Sequence, residues 1–175
     1  MKKRELEIAL RAAARVGRET EFFVIGTQAV HAYWRRPPAE VLVSQECDLY
    51  PRNRPETASM LDQALGRGSA FARRHGFYID VVTPEVATLP LGWQARLKAL
   101  RVGKITAFCL EVHDLIISKL AAGRLKDLEF VGAVLGFDIA SLSLLRRRIA
   151  RLELAKDRAL VRLRLRSVVD DLNRM

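Results

Sequence analysis

Glu46 and Asp48 flank Cys47 in a β-like run that closes at Pro51, and this acid-x-acid spacing constrains the chain more than any other feature. Side chains alternate between the two faces of a strand. The two acids therefore project together, with Cβ atoms roughly 6–7 Å apart, while Cys47 points the other way. Asp80 lies in a second β-like run, Phe77 to Val82. On a paired strand it would stand about 4.8 Å from the first pair. Three carboxylates crowded on one sheet face repel one another unless cations lie between them. Mg²⁺ (or Mn²⁺) is the simplest such cation, because it takes hard oxygen ligands and keeps positions open for phosphates.

Around these acids the chain alternates between two periodicities. Residues 3–17 have apolar positions at helical spacing (Leu6, Ala9, Leu10, Ala13, Val16) and Gly17 as a stop. Glu21 to Ile25 is a short aromatic and β-branched run, which predicts a buried strand ending at Gly26-Thr27. A helix is expected over 28–34, broken by Arg35-Arg36-Pro37-Pro38, and the acid-bearing strand over 41–50. A helix over 55–75, weakened at Gly66 and Gly68, precedes the strand over 77–82. Two runs, 97–102 and 105–110, flank Gly103-Lys104 and predict a hairpin. From Val112 onward helices are expected over 112–122, 125–136, 139–153 and 156–173, with Gly123 and Gly136 as stops. The order predicts an α+β fold: a small mixed sheet with flanking helices, followed by a helical C-terminal part. We divide it into 1–110 and 111–175.

Half of the 175 residues are hydrophobic, enough for a core, and no apolar run approaches the roughly 18 residues that span a bilayer. Without an apolar stretch near the start, the expected location is the cytoplasm, with no membrane partner. Cys47 and Cys109 lack paired spacing, so Cys47 reads as a buried free thiol. The net charge of +10 points to polyanionic partners, and residues 146–175 hold ten Lys/Arg against four Asp/Glu.

Strand, Gly26-Thr27, then helix is an arrangement that receives phosphate: glycine permits close backbone approach, and a helix start offers free N–H groups. Together, Ile25-Gly26-Thr27, Glu46-Cys47-Asp48-Leu49 and Asp80 resemble the nucleotidyltransferase fold shared with DNA polymerase β. The segment 115–127, Leu-Ile-Ile-Ser-Lys-Leu-Ala-Ala-Gly-Arg-Leu-Lys-Asp, is similar to stand-alone bacterial nucleotidyltransferase-like proteins and to the toxins of abortive-infection toxin–antitoxin pairs. Pro90 to Leu97 resembles the stretch such proteins place before that helix. The resemblance spans about residues 20–135.

It implies that Gly26 and Thr27 hold the nucleotide phosphates and that Glu46, Asp48 and Asp80 ligate Mg²⁺. Asp80 would also accept the proton of an attacking hydroxyl. Lys119 would reach the triphosphate, with Arg124 and Asp127 assisting. The implied activity moves a nucleoside monophosphate from an NTP to a hydroxyl of RNA (tRNA), protein or a small molecule, with a toxin–antitoxin role among its implications. Two departures, Thr27 for Gly or Ser and Glu46 for Asp, motivate the alternative of a lapsed enzyme that binds nucleotide, RNA or a partner protein.

Bland readings stand beside these. Glu46 and Asp48 also suit an exposed edge strand. Lys119 also reads as a solvated helix charge. His31 reads as a core or capping histidine, and Trp34 and Trp93 as packing residues. Arg158, Arg162 and Arg166 form a basic stripe, with Val161, Leu165, Val168 and Leu172 as an apolar seam. That helix can pack by its seam, present an RNA-binding face, or join two copies as a homodimer.

Overall fold

The computed structural model describes residues 1–174 and divides into two compact units, one of Met1–Val86 with Leu97–Leu110, the other of Ala87–Arg96 with the chain from Glu111 onward. In the first unit, helix α1 (Lys3–Gly17) buries Leu6, Ala9, Leu10 and Ala13 completely, the stripe its spacing predicts. Arg18 ends it in the left-handed region, φ 47°.

Five strands follow: β1 (Glu21–Val24), β2 (Glu46–Pro51), β3 (Tyr78–Val81), β4 (Lys98–Val102) and β5 (Ile105–Cys109), in the sheet order β3-β2-β1-β5-β4. β1–β2 and β4–β5 pair antiparallel, β1–β5 and β2–β3 parallel, so the sheet is mixed and the fold α+β as expected. Phe22, Val24, Cys47, Leu49, Ile79, Ala107 and Cys109 point to one face and are fully buried. α1 and α2 (Ala58–Leu65) pack on these strands. Each such aliphatic or aromatic side chain contributes roughly 1.5–3 kcal/mol on burial. Slipping β2 by one residue would drive Glu46 and Asp48 into this core, so the register is strongly specified.

Three sequence expectations shift. The helix expected over 28–34 is a 3₁₀ turn, Thr27–Ala32. Its residues Thr27 to His31 are all buried, so they lack the polar side that an amphipathic α-helix would turn to water. The strand expected from 41 begins at Glu46, because Ala39–Val41 closes a 3₁₀ turn behind Pro37-Pro38. The long helix over 55–75 becomes a 3₁₀ turn, α2 and α3 (Ala70–His75). Gly68, at φ 81°, breaks the run, and the Ser69 hydroxyl restarts it by accepting the Ala72 N–H at 3.0 Å.

The second unit holds α4 (Val112–Ala122), α5 (Leu125–Gly136), α6 (Leu142–Ile149) and α7 (Ala155–Leu172). α4 ends at Gly123, φ 67°, where an added Cβ would lie 2.1 Å from Arg164 Cζ. Arg164 Nη1 donates to the carbonyls of Leu120 and Ala121, both at 2.7 Å, placing a cation on the negative end of the helix. The α7 seam of Val161, Leu165 and Val168 is buried within the chain, while Arg162 and Arg166 face solvent. Arg158 turns back onto the carbonyls of Leu152 and Glu153. Among the described residues no helix is long and apolar enough to cross a membrane.

Candidate active site on the outer face of the sheet

The face of the sheet opposite the core carries the predicted acids. β2 alternates partly exposed and buried residues along its whole length, so Glu46 and Asp48 share the outer face and Cys47 the inner one. The parallel pairing of β2 with β3 sets Asp48 opposite Asp80 and Glu46 opposite Tyr78. The sequence spacing therefore translates directly into a cluster of side chains from two neighbouring strands. Farther along the same face, Arg52 stacks on Phe108, its Cζ 4.2 Å from the ring centroid, which makes that stretch packed structure.

Gly26 belongs to this cluster. A Cβ added there would lie 1.6 Å from Asp48 Oδ2 and 2.4 Å from its Cγ. The Asp48 carboxylate thus lies over the bare backbone at the β1 exit, and any side chain at 26 would displace it. The Ile25 N–H donates to the Asp48 carbonyl at 3.1 Å, which ties the two segments together. Thr27 follows, but it is only 6% exposed. The element it opens is a six-residue 3₁₀ turn in place of the expected α-helix. Gln28 braces the next layer: its buried amide nitrogen donates to the carbonyls of Ser44 and Glu46 at 3.4 and 3.3 Å.

Two residues absent from the sequence expectations complete the face. Tyr78 Oη donates to Glu46 Oε2 at 3.1 Å, and Arg67 Nη2 donates to Tyr78 Oη at 2.5 Å. Arg67 is held more firmly in its charged form, first by that hydrogen bond and further by the attraction of Glu46 and Asp80. The available signal was the spacing of Tyr78 and Asp80, which repeats that of Glu46 and Asp48 and aligns the pairs in a parallel register.

The remaining predicted residues lie in the helical unit and form a cluster of their own. Lys119 Nζ is 3.0 Å from Asp127 Oδ1, and Arg124 Nε is 2.6 Å from Asp127 Oδ2. Asp127 is 1% exposed; burial would raise its pKa, but Arg124 and Lys119 hold it below the usual carboxylate range. A second, larger network went unpredicted. Asp114, fully buried, accepts from Arg96 Nε at 2.8 Å and Arg148 Nη1 at 3.1 Å. Glu111 accepts from His113 Nδ1 at 2.8 Å and from Arg148. His113 Nε2 in turn accepts the Ser141 N–H at 2.9 Å, which leaves the Nδ1–H tautomer. Burial acts to raise the Glu111 pKa, yet His113 and Arg148 bring it down to about 2.

His31 is a core histidine, as its bland reading has it: 4% exposed, with Nε2 3.1 Å from the Met1 carbonyl and burial lowering its pKa. Burial pushes both thiols up, Cys109 to about 12, so neither is a ready nucleophile.

Among the described residues no three His, Cys, Asp or Glu side chains gather tightly enough to cage a metal ion by themselves. The donors present are nonetheless of the type Mg²⁺ or Mn²⁺ takes: carboxylate oxygens on a partly exposed face, beside a backbone cleared of side chain at Gly26. Mg²⁺ ordinarily uses one or two carboxylates, waters and substrate phosphates, without a closed protein cage. The residues fit such an ion.

Neither a curated protein nor a solved structure matches this chain. A family model described as "Nucleotidyltransferase of unknown function (DUF6036)" matches residues 16–167. With most of its length covered, and with paired acids beside a bare glycine on the open side of an α+β sheet, the chain belongs to that nucleotidyltransferase family.

Proposed function

We propose that the chain transfers a nucleoside monophosphate from an NTP to an acceptor hydroxyl in a divalent-metal-dependent reaction. The observation that supports this best is the in-register pair Asp48 and Asp80, with Asp48 lying over Gly26. Asp48 and Asp80 would hold Mg²⁺ or Mn²⁺, with Glu46 on the same face; the ion would stabilise charge on the entering and leaving oxygens. Gly26, bare of side chain, leaves the room that the Asp48 carboxylate takes over the backbone, with Thr27 next in the chain. Asp80 accepts the proton of the acceptor hydroxyl as its oxygen bonds to the α-phosphorus. The bond to the bridging oxygen breaks and pyrophosphate leaves with the electron pair.

The test incubates the protein with each radiolabelled NTP, Mg²⁺, and cellular RNA plus lysate, with Asp48→Asn as control. Label transferred by the wild type and lost in the variant supports the proposal, and the labelled fraction identifies RNA, protein or small molecule as acceptor. Equal labelling by both proteins removes it. A toxin role predicts growth arrest on expression, relieved by the same substitution.

One observation favours a second reading, a binder without turnover: the Glu46 carboxylate is engaged by Tyr78, and through it by Arg67. Thermal stabilisation by Mg²⁺-NTP that persists when Asp48 and Asp80 are both changed to Asn identifies that case.

A further inference from the structure

Between α1 and α3 the first unit carries a groove of about 750 Å³, open to solvent. α1 packs on the buried face of the sheet, so the groove lies across the sheet from Glu46, Asp48 and Asp80. On the α1 side it is lined by Ile8, Ala12 and Val16, which recur every four residues and form one ridge of the helix. Ala12 and Leu65 are nearly buried at its bottom, and Phe71 continues the apolar floor from α3. Arg11 and Arg15, one turn apart, stand beside the ridge on its solvent side, and Arg74 reaches in from α3. All three arginines are exposed, and among the described residues none is in an ion pair or a side-chain hydrogen bond. Glu7, one turn before Arg11, is not paired with it either.

Two like charges one turn apart disfavour the helix that carries them. Helix stability therefore does not account for Arg11 and Arg15. An aliphatic floor offers bases nothing to stack on or hydrogen-bond. The one aromatic ring in it, Phe71, already packs on His75 at 4.6 Å and on Phe77 at 5.5 Å between centroids. A ridge of four-residue spacing instead accepts the ridge of another helix. From Ile8 to Val16 it runs about 12 Å, room for two turns of a guest whose apolar anchors recur at helical spacing. Guanidinium groups beside such a strip favour a guest with carboxylates flanking its apolar side. We propose that the groove between α1 and α3 docks an acidic amphipathic helix of a partner protein. Its apolar side lies on Ile8, Ala12 and Val16, and its carboxylates meet Arg11, Arg15 and Arg74. This docking is independent of metal binding on the other face of the sheet.

The experiment titrates the full chain into a fluorescein-labelled synthetic helical peptide with a leucine stripe flanked by glutamates, and reads anisotropy. The same peptide with glutamine or with lysine in place of glutamate, and a single-stranded RNA oligonucleotide, serve as controls. Wild type should bind the acidic peptide, more weakly as salt rises, and should bind the glutamine peptide about tenfold less well. Reversing two charges, Arg15→Glu with Arg74→Glu, should abolish binding of the acidic peptide and create binding of the lysine peptide. That exchange of preference separates a docking surface from a variant that fails to fold, and thermal unfolding of the same samples should show a midpoint near that of wild type. Ile8→Gln, on the floor, should weaken the acidic peptide severalfold. Wild type that ignores the acidic peptide, binds the glutamine peptide equally well, or keeps its affinity after both reversals overturns the proposal. RNA bound through these arginines in place of the peptide also overturns it and gives the groove to nucleic acid. None of these outcomes bears on the transfer reaction proposed above.

Discussion

The two units treat their carboxylates in opposite ways. In the helical unit Glu111, Asp114 and Asp127 are largely removed from water, and each meets cationic or imidazole partners: His113 and Arg148, Arg96 and Arg148, Lys119 and Arg124. On the sheet, Glu46, Asp48 and Asp80 stay partly exposed on one face, two of them directly opposite each other in register. Burying a charge costs several kcal/mol unless partners and hydrogen bonds compensate, so the first arrangement is what a structural role demands. Like charges opposite one another on a strand pair destabilise it. The second arrangement keeps its charges partly in water, with the Tyr78 hydroxyl on Glu46 and Arg67 close by; under the proposed function it is where a cation would bind. The same residue type is thus sealed among cations in one unit and left partly hydrated in the other.

Substitutions that remove a carboxylate from each side break or sharpen this contrast. Asp114→Ala leaves Arg96 and Arg148 facing an emptied site and should cost about 3–5 kcal/mol of stability, read by urea denaturation. Asp48→Asn should cut transfer by on the order of 10²–10³ while barely moving the urea midpoint. An Asp48→Asn that unfolds the protein, or an Asp114→Ala that does not, would erase the distinction.

Acid should act through the helical unit. The folded-state pKa of Glu111 is depressed from 4.5 to about 2, so its stabilisation is present above pH 4.5 and disappears as pH falls toward 2. The amount at stake is about 3 kcal/mol. Glu111→Gln should flatten the stability profile between those limits. Gly123→Ala combines an unfavourable left-handed backbone with a collision against Arg164, and a loss of roughly 1–2 kcal/mol is expected. Arg162→Ser and Arg166→Ser, on the solvent side of α7, should stay within about 0.5 kcal/mol of wild type. If they also leave nucleic-acid binding unchanged in a filter assay, the basic stripe is only a solvated surface.

The sequence showed some of this clearly. The outer-face placement of Glu46 and Asp48 followed from a period of two, and α4 and α5 begin and end where the helical spacing, Gly123 and Gly136 placed them. The 3₁₀ turn after Gly26 was missed because local propensity does not show that nearly every one of its residues would be buried. Asp114 was passed over because a single acid among Leu115, Ile116 and Ile117 looks like the polar edge of an amphipathic helix. Its partners, Arg96 and Arg148, lie 18 and 34 residues away. Tyr78 was passed over for a similar reason: its hydroxyl matters only once β3 lies beside β2.

Taken alone, the sequence determined which side chains share a face and where most helices stop, since those properties depend on neighbours within a few residues. Tertiary structure decided which strands lie side by side, that Asp48 covers Gly26, that Tyr78 meets Glu46, and which acids are sealed among arginines. Those pairings join residues tens of positions apart, and their energies arise only when the chain has closed the loops between them.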